Sequence, residues 1–337
     1  MAGAQGRTTA TGVAAVGLFL LLSVAWGFNY IFVVIGLEQA APLWLAALRA
    51  SVGFLGVAAF TLAVRPARVL DAAGRRDALL LGLPNTALFF GLWFVAAASV
   101  PAGETAILIY TFPLWVALMS PWVLGHHLSA RHIVAIVLGF AGVAVISQPW
   151  SIGSSSVAPL PLAELLSAAV LWAVGTVLFQ RRFHGSAELT EANLYQLAGG
   201  AVALLAAALV VSPGQIPPPS ATVLASVVWL GLVGTAFAYA VWFELLGRIR
   251  AATLSAYTFL VPLVTLVAAA IVFREQFPPV DIVGIGLVLL SIYLIGSAGA
   301  PGRPPSAPAA IAPGARPELS RGVAIPVAEP PERLDAP

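Results

Sequence analysis

The sequence contains neither cysteine nor lysine, and these two absences exclude several kinds of chemistry. Without cysteine the chain has no disulfide, no thiol nucleophile and no thiolate metal site. Without lysine it has no phosphate-binding loop of the Walker type and no Schiff-base catalysis. The four histidines show no metal-ligand spacing. The sequence therefore predicts no metal and no cofactor.

Charge is also scarce, because only 9% of the residues are charged while 60% are hydrophobic. The mean hydropathy is +0.97. A soluble domain of 337 residues would need far more charge to cover its surface. The net charge of +2 is too small to indicate a nucleic-acid partner. We therefore expect that most of the chain is solvated by a lipid bilayer.

The apolar residues fall into segments long enough to cross a membrane, which takes about 20 helical residues. The first of them is too long for a cleaved signal peptide, so we expect it to be retained. A short cytoplasmic N-terminus (1–12), an outer linker (149–161) and a disordered Pro- and Ala-rich tail (299–337) complete the predicted organisation. The ten predicted spans are 13–35, 42–64, 78–98, 103–124, 132–148, 162–180, 191–211, 221–243, 252–273 and 280–298.

The second half of the chain repeats the first at a nearly fixed spacing, which indicates two copies of one structural unit. An offset of 149 residues pairs Thr86-Ala87 with Thr235-Ala236 and Trp93-Phe94 with Trp242-Phe243. An offset of 146 pairs Trp26 with Trp172. The units predicted from this spacing are 13–148 and 162–298, with five helices each.

The arginines predict how these units are oriented. With the N-terminus in the cytoplasm, nine loop arginines lie inside and only Arg274 lies outside, so both termini are predicted to be cytoplasmic. Because five is an odd number, the two units must then be inverted relative to each other. The predicted fold is an all-α polytopic membrane protein with ten transmembrane helices in two inverted five-helix repeats, an arrangement typical of secondary transporters.

The order of several short motifs resembles the EamA branch of the drug/metabolite transporter superfamily. The resemblance implies ten helices, both termini inside, and transport of small metabolites, often outward. The motifs that carry it are Trp26-Gly27-Phe28-Asn29, Arg49, Pro113 and Gly139-Phe140-Ala141-Gly142-Val143 in the first repeat, and Trp172, Ala251-Ala252-Thr253, Pro262, Glu275 and Gly284 in the second.

Polar residues inside the predicted spans are candidates for function, because a charge in hydrocarbon costs about 2.5–3.5 kcal/mol on insertion scales. Arg49 either attracts a carboxylate-bearing substrate or ties neighbouring helix ends together. Glu104 either complements a helix dipole or takes part in proton or ion coupling. Asn29 and Asn85 either contact a ligand or join two helices by a hydrogen bond.

Deep aromatic residues form the second set of candidates. They either pack between helices or line a cavity for a partly apolar substrate. Pro113 and Pro262 are expected to kink helices 4 and 9 just after a tyrosine, which makes both positions candidates for gating. The candidate aromatic residues are Trp26, Trp93, Tyr110, Trp172, Tyr239, Trp242 and Tyr257.

Together these features predict a carrier of the plasma (inner) membrane and not an enzyme. It would export a small molecule such as an amino acid, an amine or a similar amphipathic metabolite by alternating access. A lipid flippase or an intramembrane enzyme is the alternative, although the spans contain no protease motif. The sequence gives no oligomeric state and leaves proton or ion coupling open.

Overall fold

The structure, a computed structural model, describes residues 2–64, 69–100, 105, 108–125, 128–147, 158–185, 188–273 and 279–297. Every regular element within these ranges is a helix, which confirms the predicted all-helical class. Glu104, the tail 299–337 and most of the linker 149–161 lie outside the described residues. The first half contains α1 (Ala2–Leu37), α2 (Pro42–Val64), α3 (Ala72–Gly82), the π-helix π1 (Leu83–Leu88), α4 (Phe89–Ala97), α5 (Phe112–Leu124) and α6 (Ala130–Ser147). The second half contains α7 (Pro159–Phe183), α8 (Leu189–Val211), α9 (Ala221–Val228), the π-helix π2 (Trp229–Phe237), α10 (Ala238–Leu246), α11 (Ala251–Tyr257), α12 (Leu260–Phe273) and α13 (Pro279–Ser297).

Several of these helices are long and apolar enough to cross a membrane. The described ranges contain six candidate spans, two of which are the continuous rods α3–π1–α4 and α9–π2–α10. Four shorter apolar helices accompany them: Phe112–Leu124, Ala130–Val145, Ala251–Thr265 and Ile282–Ile295. Large apolar side chains such as Trp122 and Val210 lie on the outer surface, where lipid is the only solvent that suits them.

The observed helices differ from the predicted spans at three places. The helix α1 begins at Ala2, before the predicted residue 13, because no proline interrupts the small residues that precede the apolar run. The predicted kinks at Pro113 and Pro262 are breaks in the helix. Thr111 and Thr258, near these prolines, each donate a backbone hydrogen bond to the carbonyl three residues earlier, and a new helix begins beyond them.

Both π-helices interrupt their rods at the same place in the repeat, and local chemistry explains each of them. In π1, Pro84 has no N–H with which to continue the α-helical pattern. In π2, the hydroxyl of Thr235 donates to the carbonyl of Leu230, five residues earlier, at 2.8 Å. Such π segments leave backbone carbonyls without their usual partners and are frequent at functional sites.

Small residues let the helices pack closely, as is usual in membranes. Between α6 and α13, a Cβ on Gly142 would lie only 2.7 Å from the carbonyl oxygen of Gly284. Ser291 donates to the carbonyl of Ala135 across the same contact at 2.6 Å. The larger hydrophobic core lies elsewhere and contains side chains from both halves of the chain.

Candidate functional site

An aromatic cluster lies where helices of the two halves meet. Trp172 of α7 lies at its centre, and its ring centroid is 4.9 Å from that of Phe89 and 5.8 Å from that of Trp242. Trp26 of α1 is 5.3 Å from Trp242 and 6.1 Å from Trp172. These distances are those of interacting aromatic pairs. We call this set the aromatic cluster; its members are Trp26, Phe89, Phe112, Trp172, Tyr239 and Trp242.

Arg49 lies beside the aromatic cluster and is only 1% exposed. Its Nε donates to the hydroxyl of Thr235 at 2.9 Å, and Nη2 donates to the carbonyl of Gly234 at 3.3 Å. Its guanidinium carbon is 4.0 Å from the ring centroid of Phe90 and 5.4 Å from that of Trp93, distances typical of cation–π contacts. The described part of the chain provides no salt-bridge partner for this cation.

The two π-helices each present one backbone carbonyl to side chains of other helices. The carbonyl of Gly234 in π2 accepts from Trp26 Nε1 at 3.3 Å as well as from Arg49. The carbonyl of Asn85 in π1 accepts from the hydroxyl of Tyr239 at 3.0 Å. Gly234 and Asn85 are separated by the repeat offset of 149, so the same backbone position is used in both halves.

The two candidate asparagines each pack on a glycine of the opposite half. A Cβ on Gly234 would lie 2.0 Å from Asn29 Oδ1, and a Cβ on Gly175 would lie 2.0 Å from Asn85 Oδ1. Asn29 and Gly175 differ by the offset of 146, and Asn85 and Gly234 by the offset of 149. The two contacts therefore join equivalent positions of the repeat. The position that is asparagine in one contact is glycine in the other.

The neighbouring contacts follow the same exchange. The residue equivalent to Arg49 is Gln196, 147 positions later. Arg49 contacts Thr235, while Gln196 Oε1 accepts from the hydroxyl of Thr86 at 3.4 Å, and Thr86 and Thr235 are a matched pair. We name the contact of α1 and α2 with π2 the Arg49 crossing, and the contact of α7 and α8 with π1 the Gln196 crossing.

Several buried polar atoms at the two crossings lack a hydrogen-bond partner within the described residues. At the Arg49 crossing they include Arg49 Nη1 and Asn29 Oδ1, and Trp93 Nε1 of α4 is a further one, on a ring whose centroid is 5.4 Å from the guanidinium carbon. At the Gln196 crossing both amide atoms of Asn85 lack a partner, and Trp242 Nε1 in the aromatic cluster does as well. Buried polar groups are normally satisfied, so this concentration makes the two crossings a candidate site for a polar ligand.

The remaining sequence candidates lie at the edge of this region or outside it. The ring centroid of Tyr110 is 6.3 Å from that of Phe112, a member of the aromatic cluster, so Tyr110 lies at the edge of this cluster. The ring centroid of Tyr257 is 5.6 Å from that of Phe19, and Tyr257 and Tyr110 both pack against a second, smaller hydrophobic core that contains Phe259. Pro113 and Pro262 follow the helix breaks described above. Glu104 lies outside the described residues.

Sequence reasoning missed several residues of this site. Phe90 and Phe89 lie among many apolar residues, and no pattern distinguishes them. Gly175 and Gly234 could have been found, because the offsets of 146 and 149 connect them to Asn29 and Asn85, which the sequence had already singled out. Gln196 could not, because it lies 147 residues after Arg49 and neither of those offsets reaches it. The described residues contain no group of three or more His, Cys, Asp or Glu side chains that could hold a metal.

Comparison with known proteins agrees with this architecture. The model of the EamA-like transporter family matches residues 13–148 and 162–297. YvbV, an uncharacterized transporter of Bacillus subtilis, is 28% identical over 83% of this chain and 90% of its own. A probable amino-acid metabolite efflux pump of Escherichia coli K12 is 26% identical over 82% of this chain and 93% of its own. A solved crystal structure shares the fold with a TM-score of 0.72 at 17% identity, covering 85% of this chain and 97% of that one.

The two family matches cover most of the chain, and the described helices are apolar enough for repeated membrane crossing. The chain is therefore a multi-pass membrane protein that transports small molecules, and it belongs to the EamA-like transporter family.

Proposed function

We propose that this protein is a secondary transporter that exports a small amphipathic metabolite, such as an amino acid or an amine, by alternating access. The transporter would lie in the plasma membrane with both termini in the cytoplasm. Its ten helices would form two inverted five-helix repeats, 13–148 and 162–298. The aromatic cluster, where helices of these repeats meet, would bind the substrate.

The exchange of contacts between the Arg49 and Gln196 crossings is the observation that carries this proposal. Asn29 with Gly234 and Asn85 with Gly175 are the same repeat contact made twice, with the two halves in exchanged roles. A two-fold relation between halves produces such an exchange. It also supplies a physical basis for alternating access, since opening one crossing and closing the other gives two states of comparable energy.

The candidate residues then have separate roles. The aromatic cluster, with Trp93 and Tyr110 at its edges, would hold the apolar part of the substrate, and Tyr257 would line the cavity outside the cluster. The side chains of Asn29 and Asn85 would supply polar contacts at the two crossings. Arg49 and Glu104 would act in coupling or gating, and the helix breaks before Pro113 and Pro262 would let α5 and α12 move.

The relatives support the substrate class and the direction of transport. The E. coli K12 relative carries the name of a probable amino-acid metabolite efflux pump, and a related Salmonella typhimurium protein of the same name is 27% identical to this chain. Gradients of the substrate itself, of protons or of other ions would supply the energy.

Counterflow with the full-length protein in liposomes tests the transport function. We expect uptake of a labelled amino acid or amine into vesicles preloaded with the same unlabelled compound. Empty liposomes and the Trp172→Ala variant, which removes the centre of the aromatic cluster, are the controls. Scrambling of labelled lipid without counterflow of any metabolite would favour a flippase and contradict the proposal.

Accessibility labelling tests the inverted topology separately. Because the chain has no cysteine, Arg75→Cys and Arg248→Cys each introduce a single thiol without other changes. In intact cells both thiols should resist an impermeant maleimide and react with it only after the membrane is opened. Labelling of one of them from outside would exclude two inverted five-helix repeats.

A further inference from the structure

Among the residues that the structure describes, no acidic side chain pairs with the charge of Arg49. The side chain is almost fully buried, and neither Thr235 nor Gly234, its hydrogen-bond partners, carries a charge. The guanidinium also lies over the rings of Phe90, Trp93 and Phe94. A buried charge is normally paired with an opposite charge, because hydrogen bonds to neutral groups do not replace the solvation free energy that the charge has in water.

Three of the five guanidinium N–H groups are not accounted for by these bonds. Nε uses its single hydrogen on Thr235, and Nη2 uses one on Gly234. Nη1 has no hydrogen-bond partner in the described part of the protein, and neither does Trp93 Nε1 beside it. A charged donor of Arg49 and a neutral donor of Trp93 are therefore both buried and unused, and the guanidinium carbon lies 5.4 Å from the Trp93 ring centroid.

Packing of the crossing does not explain why this residue is an arginine. The equivalent Gln196 occupies the same repeat position, faces the matched threonine Thr86, and is also fully buried. A neutral side chain is therefore sufficient to build this contact. The positive charge of the guanidinium is therefore not needed for packing at the Arg49 crossing.

We propose that Arg49 and Trp93 form a subsite for the carboxylate group of the transported substrate. The guanidinium would bind the two carboxylate oxygens through Nη1 and the free hydrogen of Nη2, since this planar fork matches a carboxylate. Trp93 Nε1 would donate a further hydrogen bond. The apolar part of the same substrate would lie on the aromatic cluster, whose Trp26 shares the Gly234 carbonyl with Arg49.

This inference rests on the proposed transport function and narrows its substrate class. It selects amino acids and other apolar carboxylates over amines, because an amine would bring a second positive charge next to Arg49. An amide of the same shape lacks the anionic oxygens that the guanidinium binds. Matched acids, amides and amines therefore separate recognition of the carboxylate from recognition of shape.

Competition in the counterflow assay with full-length protein tests the subsite. The probes are L-phenylalanine, L-phenylalaninamide and 2-phenylethylamine, with L-leucine, L-leucinamide and 3-methylbutylamine as a second set. For the wild type we expect the acids to be preferred over the matched amides and amines by about ten- to hundredfold, the effect of a hydrogen bond to a charged group. The variant Arg49→Gln should lose this preference.

Trp93→Phe provides a second variant that keeps the ring and removes only the N–H donor. It should weaken counterflow of the acids by about three- to tenfold and leave the weaker counterflow of the amides unchanged. Trp229→Phe is the matched control, because Trp229 Nε1 is also buried without a partner but its ring stacks on Phe32, at 4.8 Å. This control should not change the preference for acids.

The outcomes separate the two proposals. Counterflow of amines or amides at the same rate as acids in the wild type would overturn the carboxylate subsite while leaving the transporter intact. An equal loss of acid and amide counterflow in Arg49→Gln and Trp93→Phe would assign both residues a purely structural role, and would also overturn it. If Arg49→Gln does not fold, the wild-type preference and Trp93→Phe decide the question. Absence of counterflow for every metabolite would remove the proposed function, and the subsite with it.

Discussion

The Arg49 crossing and the Gln196 crossing are built from equivalent repeat positions but carry different chemistry. In both of them a threonine of a π-helix faces a long polar side chain, and an asparagine packs on a glycine. At the Arg49 crossing the long side chain is charged and retains unused donors. At the Gln196 crossing it is neutral, and its Nε2 is already bonded to Asn193 Oδ1, at 3.0 Å.

This difference separates what the fold requires from what transport requires. The shared features, which are the glycines, the threonines and the π-helices, let two helices cross closely without an amphipathic pattern. The feature that is not shared is the charge, and it lies next to Trp93 and the aromatic cluster. The two repeats thus provide two equivalent crossings, and the Arg49 crossing alone carries the charge that we propose for recognition of a carboxylate.

The largest expected effect concerns the matched glycines Gly82 and Gly231. A Cβ on Gly82 would lie 2.2 Å from the backbone oxygen of Gln196 and 2.6 Å from the backbone nitrogen of Gly200, so the backbones themselves must separate. A Cβ on Gly231 would first meet the side chain of Val52, at 2.5 Å. We expect Gly82→Ala to cost more than about 3 kcal/mol and Gly231→Ala about 1–3 kcal/mol. Thermal unfolding of the purified protein in detergent measures both.

A second substitution checks the cause of this asymmetry. Val52→Ala should restore part of the stability lost in Gly231→Ala, because it removes Cγ1 of Val52, which the new methyl group would meet at 2.5 Å, while Cβ of Val52 stays at 2.6 Å. Shortening the side chain of Gln196 should not rescue Gly82→Ala, because that contact is made by backbone atoms. Equal stability losses in the two single variants would mean that the two crossings are packed alike.

An intermediate effect is expected at the matched threonines. Thr235→Val leaves Nε of the buried Arg49 without its acceptor, which costs about 1–3 kcal/mol. Thr86→Val loses only the long contact of 3.4 Å to Gln196, and we expect less than about 1 kcal/mol. The combination Arg49→Gln with Thr235→Val removes the buried charge together with its acceptor and should be more stable than Thr235→Val alone. Chemical unfolding of the wild type, the two single valine variants and the double variant measures these losses. If Thr86→Val lowered the free energy of unfolding as much as Thr235→Val, the expected difference between the crossings would be wrong.

The sequence predicted the family and the helical class well, because both depend on features that are local along the chain. Apolar runs, loop arginines and the motif order from Trp26 to Gly284 can be read without knowing which helices touch, and the family match confirms the recognition. The repeat spacing also singled out Trp172 and Trp242, which the structure packs together. The inverted orientation of the two halves stays a prediction.

The crossings themselves could not be predicted from the pattern of apolar residues. Helices in lipid are apolar on all sides, so periodicity does not tell which face meets which neighbour. Asn29 and Gly234 lie in helices far apart in the sequence, and only the fold pairs them. The π-helices could not be predicted as a pair either. Pro84 gives a signal for π1, but π2 depends on the hydroxyl of Thr235, and nothing in the sequence distinguishes this threonine from others.

The smallest expected effect concerns two ties near the helix ends, one for each half. Glu191 is equivalent to Trp44 by the offset of 147 that relates Gln196 to Arg49. Glu191 Oε2 accepts from the backbone N–H of Leu70 at 2.5 Å, and its other oxygen lies 3.5 Å from Nε of Arg75. Trp44 Nε1 instead donates to the carbonyl of Ser212 at 2.9 Å. In one half this repeat position therefore joins α8 to Leu70 and to Arg75 of α3 through a charged side chain, and in the other it joins α2 to Ser212, just after α8, by a neutral hydrogen bond.

We expect Glu191→Gln and Trp44→Phe each to lower the free energy of unfolding by about 1 kcal/mol or less. Only the first loss should depend on salt, because the Arg75 side chain is 42% exposed and its attraction to Glu191 is screened as the Debye length falls from about 10 Å at 0.1 M to about 3 Å at 1 M. Unfolding at these two ionic strengths measures the difference. Adding Arg75→Gln to Glu191→Gln should cost nothing further if the charge pair is the cause. A salt dependence that is equal in Glu191→Gln and Trp44→Phe would show that the two ties act alike, and that the halves differ in charge only around Arg49.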